Sequence, residues 1–497
     1  MNEGNHSPLH YAALHGQLSR VELLLARGTF VGRRNKDENT PLHLAVWKGH
    51  TDVVEMLLDK KASVRAMNKY CNTPLHLAAW NGHTGLTELL LQRGALVGAS
   101  NAHHNTPLHV AASRGHTDVV ELLLWKSASI EAIGENRNTP LHLAARNGYA
   151  GTVESLLNRG ASIQALNRSF YTSLHLAAWN GHAGLVELLL RRGAPTEATG
   201  AFSNTPLHLA AQTCYTCVME VLLREGAPIG EKDDGSNTLL HLAALSGHTG
   251  MVGLLLDKGA WVQAMNRDNS TPLHLAAELG HSGAVELLLD KSASIRDMNK
   301  DNNTPLHLAA QNGHTSVVEL LLDKDASIRD INKDNNTPLH LAAKRGHTGV
   351  VKLLLSKGAS VQTINKESDT SLHLAADGGH TGLVELLLRK GASAGTINKA
   401  RNTPLHLAAV RGHTGVVKLL LEGGAVANPK NSYGNTPLQL AVGYGHTRNV
   451  ELLLQKCASA ATMDIGNGSL LYLAEQNGHG DVVQLLKSMV AELENSA

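Results

Sequence analysis

Apolar and polar positions alternate along this chain in short blocks that return at a fixed rhythm. Residues 72–85, NTPLHLAAWNGHTG, gather Leu75, Leu77, Ala78 and Ala79, and residues 85–94, GLTELLLQRG, put leucines on one side and Glu88, Gln92 and Arg93 on the other. This spacing predicts two short amphipathic helices. Thr73 suits the N-cap, where its hydroxyl accepts an N–H that the first turn leaves orphaned, and Pro74 suits the first helical position, where a missing N–H costs nothing. Gly82 can end the first helix in the left-handed conformation, and Gly94 stops the second. The Asn- and Lys-rich link that follows is turn chemistry. So short a pair of helices cannot bury its apolar face alone, so stacking against neighbours is obligatory.

The neighbours are copies. The His of each TPLH-like tetrapeptide falls at His10, His43, His76, His109 and onward to His406 on a period of 33 residues, and the register continues through Gln439 and Tyr472. Fifteen units follow one another without insertion or deletion. SIRDMNKDNNTPLHLAAQNGH recurs one period later as SIRDINKDNNTPLHLAAKRGH, which points to recent duplication.

TPLHLAA, GHT, LLL and GA on this period resemble the ankyrin repeat family, from residue 4 to about residue 490. The resemblance implies an all-α repeat solenoid of stacked helix-turn-helix units with β-hairpin-like finger loops, a single solenoid over residues 1–497, whose first helices and finger tips form a concave binding surface. The family's usual finger has Asp five residues before the capping Thr and Gly two before it. Here the Asp place is mostly Asn, as at Asn35, Asn68, Asn299 and Asn332, and the Gly appears only at Gly434. Asn tolerates the left-handed region, so the turns remain feasible. The last unit, about 469–497, is expected to be a C-terminal cap, because its final helix runs past the usual Gly place. Only MNEGNH precedes the first helix, so either that edge is tolerated or the chain is part of a larger protein.

Composition excludes more than it selects. Lys and Arg total 44 against 43 Asp and Glu, so no whole-molecule field draws the protein to nucleic acid or an anionic membrane. Four cysteines are too few for a secreted disulfide scaffold, and Cys71 and Cys457 lie far from the other pair. A reducing compartment is expected, cytoplasm or nucleus. No secretory signal opens the chain, and no apolar run reaches the ~18 to 20 residues that span a bilayer. Phosphate-binding, nucleophile-elbow, zinc-protease and kinase motifs are all missing, so no enzyme, cofactor or small-molecule substrate is expected.

Two features imitate chemistry. QTCYTC, residues 212–217, spaces Cys214 and Cys217 as in a redox or zinc motif, but Cys214 occupies the Gly place of Gly49 and Gly82, and Tyr215 the place of His50. The stretch reads as a divergent turn in a divergent repeat near 205–232. A left-handed Cys there costs roughly 1 kcal/mol, making this repeat a candidate weak joint. Of 29 histidines, thirteen are the TPLH markers and twelve follow the Gly, leaving His6, His15, His103 and His104. The markers are expected to hydrogen-bond neighbouring backbone and hydroxyls. Equivalent rings ~8 to 10 Å apart cannot share one zinc.

Function is left to positions the repeat does not fix. Two of them precede the inter-helix Gly and, in the family, lie on the concave side. The first reads Trp47, Trp80, Ser113, Arg146 and Trp179 along units two to six, and the second adds Lys48 and Arg114. The same column later holds Gln212, Glu278, Gln311, Lys344 and Asp377, which a core would not tolerate, so it faces solvent. Exposed Trp and Arg are enriched at binding hot spots. Finger residues Tyr70, Phe170, Tyr171 and Phe202 enlarge the patch. A second, basic patch of Lys344, Arg345 and Arg411, with Asp377 between them, is a candidate for an acidic peptide. Finger lysines Lys300, Lys333, Lys366 and Lys399 mostly precede an acid, which cancels the field phosphate binding needs. The expectation is a non-enzymatic scaffold or adaptor binding proteins on its concave face. The alternatives are the repeat portion of a larger signalling or membrane–cytoskeleton linking protein, a nucleic-acid-associated regulator, an enzyme with its site spread over the concave face, or a structural spring.

Overall fold

A computed structural model of the protein describes residues 5–456 and 468–494; Cys457 and the end of the expected cap lie outside them. Among the described residues there are thirty α-helices and no strand, and the repeat is the expected helix pair: Pro74–Asn81 then Thr84–Gln92, Pro305–Asn312 then Thr315–Asp323. The chain divides into two compact units, residues 1–239 and 240–497.

Each repeat buries the same few side chains. In the first unit Leu75, Ala78 and Ala79 of the leading helix and Leu90 of the second are fully buried, and in the second unit Leu306, Ala309, Ala310 and Leu321 are their counterparts. A buried Leu stabilises by about 1.5 to 3 kcal/mol, and the paired alanines let successive leading helices approach closely. The inter-helix Gly serves two ends. Gly82 sits at φ +73°, and a β-carbon there would lie 2.5 Å from the His116 ring of the next repeat. Cys214 holds the same left-handed conformation at φ 72°, as the register requires.

The fingers differ from the hairpins that the resemblance implies. Each is a five-residue turn closed by two backbone bonds, Asn35 N–H to Asn39 O and Glu38 N–H to Asn35 O in the first, which is too short to build a ladder. Among the described residues the one β-bridge pairs Lys232 with Thr238. Successive fingers are joined sideways, Lys69 N–H to Asp37 O and Ala102 N–H to Tyr70 O in the first unit, Lys333 N–H to Asp301 O in the second. The final helix, Gly480–Glu494, runs 15 residues where second helices elsewhere run nine or ten. No helix among the described residues is long and apolar enough to cross a membrane.

Candidate binding face

The face begins with what holds its backbone still. His76 Nδ1 accepts the Thr73 N–H at 3.2 Å and its hydroxyl at 2.9 Å, closing a capping box, while Nε2–H donates to the Asn105 carbonyl of the next repeat at 3.0 Å. His307 does the same with Thr304 and Asn336. This geometry requires the neutral ring, and burial pushes His43, His76 and His307 down from 6.5 to about 4 against the opposing pull of the accepting carbonyls. At the fourteenth repeat Gln439 replaces the His, and its Oε1 accepts the Thr436 N–H at 2.9 Å. The histidines after the Gly form a second ladder. His116 donates to the Trp80 carbonyl at 3.0 Å, His182 to Arg146 at 3.0 Å, and His380 to Lys344 at 3.2 Å. Every acceptor belongs to the free column, so Trp80, Arg146 and Lys344 project from a backbone pinned by the repeat that follows, whereas Tyr149 and Tyr215 stand in the His place after Ser113 and Trp179.

The column faces solvent, as its mixed composition predicts. Trp47, Trp80 and Trp179 are 38%, 40% and 43% exposed. Arg114 lies over the Trp80 ring, its guanidinium carbon 3.6 Å from the centroid. A hollow of about 370 Å³ between fingers and leading helices brings Trp47, Tyr70 and Trp80 together with Leu44 and Leu77. A second hollow, about 460 Å³, shares Tyr70, Leu77 and Trp80 and adds His103, Glu135 and Arg146. Phe170 and Phe202 are exposed finger residues in left-handed backbone, φ 59° and 58°, and line neither hollow, nor does Trp179.

Tyr171 is a correction. Its ring stacks on His175 with centroids 5.2 Å apart, fills the space beside Gly200, and its carbonyl receives the His142 bond, so it packs the finger instead of lining the face. Trp125 and Trp261, outside the column, are more exposed than the column residues, and Lys126 covers the first at 3.9 Å. In the basic patch Lys344 and Arg345 are exposed, but Arg411 Nε donates to Asp377 at 2.9 Å, so part of its charge is spent internally. Three of the four finger lysines pair with the acid of the preceding finger, Lys300 with Asp268, Lys333 with Asp301 and Lys399 with Glu367, all at 3.9 Å, and Lys300 and Lys333 do not pair with the acid that follows in sequence. Among the described residues no three His, Cys, Asp or Glu side chains are grouped to hold a metal, and His103 Nδ1 lies 3.4 Å from the Glu135 carboxylate.

The family model for ankyrin repeats in sets of three matches eleven overlapping stretches, from residues 1–68 through 207–299 to 422–496. The chain belongs to the ankyrin-repeat family. It is similar to the crystal structure of the human ASB11 ankyrin repeat domain, 31% identical over 45% of this chain and 99% of that one, with a TM-score of 0.42. No curated protein matches it. Ankyrin repeats are in general protein–protein interaction modules.

The Asn that replaces the usual ankyrin Asp has a role that sequence reasoning missed. It does not take the left-handed conformation. That falls to the residue two before the capping Thr, Glu38, Cys71, Asn302 or Asn335. Asn332 Oδ1 accepts the N–H of Asp334 and Asn336, while its Nδ2 donates to Asn303 Oδ1 of the neighbouring finger at 3.0 Å. Asn68 and Asn39, and Asn101 and Asn72, repeat the pairing. An Asp could accept but not donate, which is why the ladder needs Asn. The Asn ladder lapses where Gly134 and Gly200 take the Asn place, and at the seventh repeat it and the TPLH-His ladder fail together. Asp233 stands in the Asn place and bonds Asn237 within its own finger, and His208 Nε2 finds no acceptor at hydrogen-bond geometry, although the Glu231 carbonyl acts weakly on its charge.

Proposed function

We propose that this ankyrin array is a non-enzymatic scaffold whose partners dock on the face formed by Trp47, Trp80, Arg114, Arg146 and Trp179 with finger residues Tyr70, Phe170 and Phe202. The observation that carries it is a row of solvent-facing Trp and Arg side chains, in which the backbone carbonyls of Trp80 and Arg146 are held by histidines of the next repeat. Presentation is the mechanism. Side chains fixed in a row lose little freedom when a partner binds, so more of the contact energy appears as affinity. The more polar face of Lys344, Arg345 and Arg411 is a second docking place, and occupancy of both would raise the effective concentration of two partners for each other. Nucleic acid fits poorly, because finger lysines meet finger acids. Four cysteines in 497 residues suit a reducing compartment, cytoplasm or nucleus.

The test is a pull-down from cell lysate with the intact chain and with a Trp47→Ala, Trp80→Ala, Trp179→Ala variant whose helicity is checked by circular dichroism. A partner lost with the variant supports the reading. Unchanged partners would move the site to Lys344, Arg345 and Arg411.

A further inference from the structure

The two hollows differ in what they leave unsatisfied. In the first, the buried polar side chains are already engaged: Asn68 Nδ2 is bonded to Asn39 Oδ1 at 2.9 Å, and His43 to Thr40 and the Asn72 carbonyl. What remains on offer is the apolar surface of Leu44, Trp47, Tyr70, Leu77 and Trp80. A hollow whose buried polar groups are already paired favours an apolar occupant, since a polar one gives up water there without gaining a partner. The second hollow continues from it across Tyr70, Leu77 and Trp80 and reaches the Arg146 side chain.

Charge sharpens the choice. Elsewhere the repeats match cations to acids one repeat away, Arg93 with Asp59, Arg192 with Glu154, Lys291 with Asp257, Lys357 with Asp323. Lys48, Arg114 and Arg146 are exposed and have no ion-pair partner among the described residues. Across the two column positions from Leu14 to Thr213 there is no Asp or Glu. The acid that does face the second hollow, Glu135, sits on a finger beside His103.

We propose that the groove of the first unit takes an extended acidic peptide segment that seats one large apolar side chain among Trp47, Tyr70 and Trp80, with flanking carboxylates on Lys48, Arg114 and Arg146. This deepens and rests on the scaffold reading above, and it names the partner's chemistry. A peptide fits better than a nucleic acid strand because three cations beside an apolar hollow supply an anchor and a few pairings, not a track along a phosphate backbone.

The experiment selects from a random dodecapeptide display library on the full-length protein, then measures the enriched peptides by fluorescence anisotropy. The proposal predicts sequences with one aromatic or large aliphatic residue flanked by Asp or Glu. Trp80→Ala should weaken binding about thirty-fold, as for a buried hot-spot aromatic. Arg114→Glu with Arg146→Glu should weaken it at least tenfold, and raising salt should weaken it further. All these substitutions are at exposed positions, and circular dichroism of each variant confirms the fold. Enrichment of basic or anchorless peptides, no enrichment, unchanged affinity in the variants, or preferential binding of an oligothymidine probe would overturn the proposal. The wider scaffold reading fails separately: if lysate partners still bind through the Trp column while no acidic peptide does, only the partner chemistry is wrong.

Discussion

The same two column positions carry Trp47, Trp80, Arg114, Arg146 and Trp179 in the first unit and Glu278, Gln311, Lys344, Asp377 and Arg411 in the second, on backbones held in the same way. His116 pins the carbonyl of Trp80 at 3.0 Å, and His413 pins that of Asp377 at 3.0 Å. Fingers follow the contrast in part, Tyr70, Phe170 and Phe202 in one unit and Asp301, Asp334 and Glu367 in the other, with Asp37 and Tyr433 crossing it. In the second unit Arg411 answers Asp377 and Lys333 answers Asp301, while Lys344 and Arg345, like Lys48, Arg114 and Arg146 in the first, make no ion pair among the described residues. The lesson is a division of labour within each repeat. Ladder positions hold the fold and are shared, and column positions carry no such duty and diverge.

The largest effect should strike the shared part and leave the contrast aside. The ladder needs neutral imidazoles, and burial holds His43, His76 and His307 at about 4. The unfolded chain, with histidines near 6.5, binds more protons between these values, so stability is intact above about pH 6.5 and is lost as pH falls toward 4, by roughly 1.4 kcal/mol per pH unit for each such His. Circular dichroism against pH should show a steep loss of helicity in that window, with exchange protection falling in both units. Helicity that persists undiminished through pH 4 would contradict the ladder.

Asn332→Asp comes next. It keeps the acceptor for Asp334 and Asn336 but sets a carboxylate against Asn303 Oδ1, at a site 9% exposed. A loss of about 1 to 3 kcal/mol in urea unfolding is expected, with no change in partner binding to the Trp column. A stability equal to the parent's would show that Nδ2 contributes nothing to the seam.

The smallest effect lies within the first unit. With His208 lacking its acceptor, Asp233 in the Asn place and Cys214 in left-handed backbone, residues 205–232 should exchange amide hydrogens faster than residues 304–331, by a difference in protection of roughly 1 to 2 kcal/mol. Uniform protection across both stretches would remove the weak joint.

The period, the helix pairs, the Gly before the second helix and the exposure of the Trp column were all legible in the sequence, because each depends on contacts that recur at fixed offsets. The finger-to-finger Asn ladder was not, since its partners are 29 residues apart and the donor that distinguishes Asn from Asp matters only once two fingers lie side by side. Tyr70 and Tyr171 show the same limit at the site. Both read as finger aromatics, but Tyr171 stands at the register place of Asn72 and Asn105, whose carbonyls receive the ladder, and so packs inward, whereas Tyr70 stands at the tip and lines the hollow. Which cations are matched was equally hidden, because the finger lysines reach back one finger instead of forward one residue.

The most direct test measures one captured partner by isothermal calorimetry against three proteins: the intact chain, the Trp47→Ala, Trp80→Ala, Trp179→Ala variant, and a Lys344→Ala, Arg345→Ala, Arg411→Ala variant. A division of labour centred on the first unit predicts a loss of about a hundredfold or more for the Trp variant, little change for the basic one, and equal thermal stability for all three. Undiminished affinity in the Trp variant, with or without a loss in the basic one, would contradict it.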